Sequence, residues 1–153
     1  MVLPRFCLLV ATLYCLVFTS FGQTPSPVQS LKKAILKSDL PAIEALLKGG
    51  ADPNATIEIV PGSATTYLIT AVTDNSLDVV KLLLTAKTQV NQTDAFKTTA
   101  LMTAVGKSNP AMVALLLSSG ADAGAKDDDV KDALALAREG GNAAIIALLA
   151  PKQ

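Results

Sequence analysis

An all-α solenoid of four helix-turn-helix repeats is the fold class this sequence predicts, and three observations predict it. A long pattern returns at a constant interval: "TYLITAVTDNSLDVVKLLL" from Thr66, "TALMTAVGKSNPAMVALLL" from Thr99 and "DALALAREGGNAAIIALLA" from Asp132, each 33 residues after the last. An earlier copy, "QSLKKAILKSDLPAIEALL", starts at Gln29, 37 residues before Thr66. Each copy holds two apolar stretches at helical spacing, divided by a short polar break. The phrase "ALLKGGADPN" (Ala45 to Asn54) is nearly repeated as "LLLSSGADAG" (Leu115 to Gly124). A fixed period of this size marks stacked supersecondary units, each of which buries its apolar face on its neighbours.

The chain divides before the first copy. Arg5 is followed by the uncharged apolar run "FCLLVATLYCLVF" (Phe6 to Phe18), then by small residues at Ser20 and Gly22. These are the parts of a secretory signal peptide, predicted over residues 1–22 with cleavage after Gly22. A retained membrane anchor is the alternative, but the run is shorter than the roughly 20 apolar residues that span a bilayer. "QTPSPVQ" (residues 23–29) carries two prolines and no periodicity, and it reads as a flexible leader. The repeat domain is then 30–153, with repeats at about 29–59, 60–95, 96–128 and 129–153.

Removing the signal segment changes the chemistry. Both cysteines, Cys7 and Cys15, go with it, and the chain has no histidine. The remainder has no disulfide, no thiol nucleophile and no thiolate metal site. Twelve basic residues face 13 acidic ones, so no charge imbalance points to nucleic acid or to an anionic membrane.

Within each copy the elements follow in order. Thr66, Thr99 and Asp132 are N-cap candidates, since their side-chain oxygens can satisfy free backbone N–H groups. Leu68, Ala71 and Val72, and then Leu101, Ala104 and Val105, lie at i, i+3, i+4 spacing on one helical face. The breaks "TDNS", "GKSN" and "EGGN" are tight helix-to-helix turns. Asn109-Pro110 is a good start for the second helix, because proline is tolerated at the first helical position. Gly50 and Gly120 end the second helices by accepting the left-handed conformation. Four extra residues between Asn54 and Leu68 elongate one finger, "ATIEIVPGSAT" (Ala55 to Thr65). Its alternating Ile57, Ile59 and Val60 suit a small hairpin, read as packed on itself in preference to forming a contact patch.

This pattern resembles the ankyrin repeat. "TYLITA" and "TALMTA" match the family motif Thr-Pro-Leu-His-x-Ala, and "LLKGGADPN" and "LLLSSGADAG" match its ending. The resemblance covers about residues 29 to 150. Departures are visible: the family histidine is Lys32, Ile69, Met102 and Ala135 here, and the motif proline is Tyr67, Ala100 and Ala133. The helix-ending glycine becomes Lys87, so the second repeat is expected to be the least well closed, at about 1 kcal/mol relative to glycine. The first and last repeats read as caps.

The resemblance implies that a concave side, formed by fingers and first helices, binds a protein partner. The residues expected there are Thr73, Asp74 and Lys107 on the first helices, and Asp94, Phe96, Lys97, Asp128 and Lys131 on the fingers. Phe96 is the sharpest of these. An exposed aromatic is a hot-spot candidate, and packing between fingers is the competing reading. "DDD" (Asp127 to Asp129) lacks the alternating spacing and distant glutamate of a calcium loop, so it reads as a solvated finger with Asp127 in a turn role and Asp132 capping the last helix.

No catalytic constellation and no Gly-rich phosphate loop appear, so neither enzyme activity nor a cofactor is expected. The expected function is that of an exported, secreted or periplasmic, monomeric binder without contact to nucleic acid or, after cleavage, to membrane. A protective or immunity-type role follows from the resemblance only. The alternative is an envelope scaffold that self-associates or is anchored by its N-terminal segment.

Overall fold

The computed structural model describes residues 26–150. Among the described residues, eight helices form four pairs: α1 (Pro27–Leu36) with α2 (Leu40–Lys48), α3 (Tyr67–Thr73) with α4 (Leu77–Thr85), α5 (Ala100–Gly106) with α6 (Pro110–Ser118), and α7 (Ala133–Glu139) with α8 (Ala143–Leu149). The signal segment, and the leader up to residue 25, lie outside the described residues. The leader is shorter than the sequence suggests. Pro27 takes the first position of α1, and the Ser26 hydroxyl accepts the Gln29 N–H at 3.3 Å, so helix replaces the last three residues of the expected linker.

The helix starts follow from cap chemistry. The Thr66 and Thr99 hydroxyls accept from Ile69 N–H and Met102 N–H, and the Asp132 carboxylate accepts from Ala135 N–H. Where the family carries histidine, Met102 turns its sulfur back to accept the Thr99 N–H at 3.4 Å, a weak substitute. Asp39, Asn109 and Asn142 cap the second helices α2, α6 and α8.

Left-handed residues close the turns. Between paired helices they are Ser38, Asn75, Ser108 and Gly141, at one repeat-equivalent position. After the second helices they are Gly50, Lys87 and Gly120, with Lys87 at φ +61°. The backbone bond that completes each helix end is 3.0 Å at Ala51→Leu46 and at Ala121→Leu116, but 3.4 Å at Thr88→Leu83. The second repeat is therefore the loosest at the backbone, as Lys87 predicts. The buried Thr88 hydroxyl compensates by donating to the same Leu83 carbonyl at 2.6 Å. Lys87→Gly should raise stability by about 0.5–1 kcal/mol, seen as a higher urea midpoint with unchanged slope, because glycine needs no Cβ strain there. An unchanged midpoint would show that Thr88 has already removed the penalty.

The first helices form an inner row, α1 against α3, α3 against α5 and α5 against α7, while α2 meets α4 and α6 meets α8 on the outside. Tyr67 to Val72 in α3 are all buried, whereas α4 buries only Val79, Val80 and Leu83. Within each leucine triplet only the middle residue, Leu83 or Leu116, is fully buried, and its neighbours are half-covered. An inner helix packs on both sides and an outer one along a single stripe.

The inserted residues fold as the expected hairpin, β1 (Thr56–Val60) with β2 (Ser63–Thr66), antiparallel with a register break around Ile59. Lys32 donates to the Glu58 carbonyl from the α1 side, which blunts the outer edge of β1. Fingers join laterally by Ala95 N–H to the Ala64 carbonyl at 2.9 Å and Asp128 N–H to the Phe96 carbonyl at 3.3 Å. Turn asparagines tie successive repeats: Asn54 Oδ1 accepts Gln89 N–H, and Asn91 Oδ1 accepts Asp122 N–H. Asn91 also donates to the Gly120 carbonyl.

Candidate partner-binding surface

The fingers are built by one repeated device. In the second finger Asp94 Oδ1 accepts the N–H groups of Phe96 at 2.8 Å and Thr98 at 2.9 Å. In the third, Asp127 Oδ1 accepts those of Asp129 at 3.0 Å and Lys131 at 2.9 Å. Each carboxylate thereby holds a tight turn whose tip residue, Lys97 or Val130, sits at positive φ. This is the turn role expected of Asp127, and Asp94, named as a binding residue, has the same one. A carboxylate that satisfies two backbone donors of its own loop is a positioning group first.

The tip of the second finger stands in water. Phe96 is 60 % exposed, so packing between adjacent fingers does not account for it. Lys97 reaches across to Asp128 at 3.0 Å, both partly exposed, and this pair links the second and third fingers. Lys131 turns instead to Glu139 of α7 at 2.9 Å. That hydrogen bond, followed by the attraction of the same carboxylate, raises the lysine's pKa above its ordinary value. Phe96, Lys97, Asp94 and Asp128 are thus brought together, with Lys131 beside them.

The other three residues lie elsewhere. Asp74 and Lys107 occupy equivalent C-cap positions of α3 and α5, exposed, and Thr73 donates its hydroxyl to the Ile69 carbonyl of its own helix. Fingers precede the first helices and these residues follow them. The two groups are separated by a helix of seven residues, a rise of about 10 Å at 1.5 Å per residue.

The hairpin partly contradicts the self-packed reading. Ile57 is buried, but Ile59 is 51 % and Val60 60 % exposed. The register break around Ile59 interrupts the alternation that would have hidden one side chain in two. Val130 was missed as a site residue and is 67 % exposed. The available signal is the period: Val130 stands 33 residues after Lys97 and three after the turn aspartate.

Among the described residues no group of three or more His, Cys, Asp or Glu is placed to hold a metal ion, and no helix is long and apolar enough to cross a membrane. A comparison with curated proteins finds no match. The family model for ankyrin repeats, three copies, matches residues 31–127. It spans the first three helix pairs, and α7 and α8 continue the same geometry beyond it. Ankyrin repeats are protein–protein interaction modules, typically without enzymatic activity. With the repeat period, the paired helices, the fingers and the family model in agreement over most of its length, the chain belongs to the ankyrin repeat family.

Proposed function

We propose that this protein is an exported binder that captures one protein partner stoichiometrically on its concave side, through fingers and first helices, and performs no catalysis. The exposure of Phe96 is the observation that carries the reading. A large aromatic held on a hydrogen-bonded turn with more than half of its surface in water is the kind of side chain that dominates interface energetics. Thr73, Asp74 and Lys107, at the opposite ends of α3 and α5 from the fingers, are proposed as a separate set of polar contacts to the same partner. Export rests on the apolar run from Phe6 to Phe18, preceded by Arg5 and followed by small residues at Ser20 and Gly22. A protective role, in which the partner is neutralised by being bound, fits a scaffold without catalytic groups.

The test is a pull-down with the processed protein, followed by affinity measurement on the purified partner. The double variant Phe96→Ala with Lys97→Ala should weaken binding at least about tenfold at unchanged helicity. A partner bound equally well by the variant would place the surface elsewhere. A concentration-dependent oligomer in size-exclusion chromatography would favour a self-assembling scaffold instead.

A further inference from the structure

The first repeat keeps a stacking face that no described residue covers. In the later repeats the face turned to the preceding repeat is closed: Val79, Met112, Ile145, Leu83 and Leu116 are at most 1 % exposed. The equivalent residues of the first repeat, 37 positions before Val79 and Leu83, are Ala42 and Leu46, and both are only half-buried. They line a groove of about 700 Å³ formed by α1 and α2. Alanine in place of valine, methionine or isoleucine hollows that groove, and Leu36 stands in its wall half exposed. At the interior junctions this face meets a helix of the repeat before, α1 on α3, α3 on α5 and α5 on α7. The shape that continues those junctions outward is a helix with an apolar stripe.

Lys33 decides which helix can lie there. It lines the groove together with Lys32 and Lys37, and its equivalents inside the junctions are the buried Thr70 and the half-buried Thr103. Among the described residues neither Lys33 nor Lys37 is in an ion pair. Lys32 reaches the Glu58 carbonyl, and the Asp39 carboxylate accepts the Ala42 N–H. With Asp39 and Glu58 both counted, the three lysines remain in excess. A helix laid over Lys33 takes its ammonium out of water, which is unfavourable unless a carboxylate meets it.

The chain has no such helix to offer. Residues 1–25 carry Arg5 and no aspartate or glutamate. The far end of a second copy would present Arg138, at the position where Ile35, Val72 and Val105 are buried. Glu139 follows it, but that position is exposed in all four repeats, and Lys131 already holds Glu139. Head-to-tail stacking would therefore enclose Arg138 in the same junction as Lys33.

We infer that the groove on the first repeat docks an amphipathic helix of a protein partner. Its aliphatic stripe enters over Ala42 and Leu46, and an Asp or Glu on the same face meets Lys33. This adds an end surface to the binding role proposed above and does not depend on Phe96.

The probe is a phage-displayed library built on a fixed helical scaffold with one randomised face, selected on the processed protein. Enriched faces should carry aliphatic residues at i, i+3 or i+4, and i+7 spacing with an Asp or Glu among them. Ala42→Arg should weaken their binding at least about tenfold at unchanged helicity. Lys33→Thr, which installs the residue of the next two repeats, should abolish the preference for acidic faces, an effect that a merely structural lysine would not produce. Phe96→Ala with Lys97→Ala should leave this binding unchanged, so a failure here and a failure of the finger surface are read separately. Enrichment of basic or uncharged faces, no enrichment, or binding indifferent to Ala42→Arg and Lys33→Thr overturns the proposal. So does binding lost with the Phe96 and Lys97 pair, which would move the site to the fingers. Helices that bind the processed protein but not the full chain would make residues 1–25 the occupant, and a dimer dissolved by Ala42→Arg would make it a second copy; either result overturns the proposal.

Discussion

Leu101→Ala should lower the folding free energy by about 3 kcal/mol and the melting temperature by roughly 10 °C. Leu101 is 1 % exposed in the first turn of α5, the inner helix that packs against α3 on one side and α7 on the other. Removing its terminal isopropyl group loses the transfer free energy of those carbons and leaves a cavity between two short helices. Neither can close it without dragging its own repeat, because turns and finger hydrogen bonds fix their spacing. Leu117→Ala, at a half-covered position of the outer helix α6, should cost about 1 kcal/mol under the same conditions. Urea denaturation followed by circular dichroism measures both. Equal losses at the two positions would mean that α5 is not packed on both sides.

Tyr67 carries the second large effect. Its ring is fully buried at the start of α3, and its hydroxyl donates to the Val28 carbonyl of α1 at 2.8 Å, which fastens the first repeat to the second. Burial, with the nearby Asp52 adding to it, pushes the phenol's pKa up to about 12 from the ordinary 10. The neutral form is the one the fold accepts. The stabilisation is therefore complete below pH 10 and is lost as pH rises from 10 through 12, by up to about 2 kcal/mol for this group. Tyr67→Phe should cost about 1 kcal/mol at neutral pH through the lost hydrogen bond and should remove this component of the alkaline loss. In a shortened protein lacking residues 1–22, Tyr67 is the only tyrosine, so an ultraviolet titration reports it alone. A midpoint near 10 would show that the ring is wet and the tie to Val28 broken.

Much of the fold was legible in the residues. The caps at Thr66, Thr99, Asp132 and Asn109 act as their side chains imply, since a cap is satisfied within three residues of itself. Lys87 adopts the left-handed conformation that its place after a leucine triplet demands. The compensation by Thr88 was not legible, because nothing in "TAKTQVN" says that this hydroxyl is buried against a helix end. The left-handed Ser38, Asn75 and Ser108 were equally silent. Serine is no strong signal for positive φ, and only the closure of two packed helices imposes it.

The candidate site was readable in part, for a related reason. Phe96 could be named from the sequence, but its burial depended on how close the neighbouring finger comes. Ile57 and Ile59 are two residues apart and look alike, yet the register break around Ile59 leaves the first hidden and the second wet. Asp94 reads as a contact residue in the sequence, and only the structure shows that its Oδ1 also holds its own turn.

Sequence by itself determined the repeat unit, its period, the caps that start its helices and the residues that end the second helix of a pair, because these depend on groups bonding a few positions away. Tertiary structure alone decided which of those side chains meet water or one another. Lys97 finds Asp128, and Ala95 finds Ala64, across gaps of about thirty residues that only stacking closes. Periodicity says that the units stack. The distance between stacked units, and hence what they leave uncovered, is set by the packing volume of the buried side chains between them.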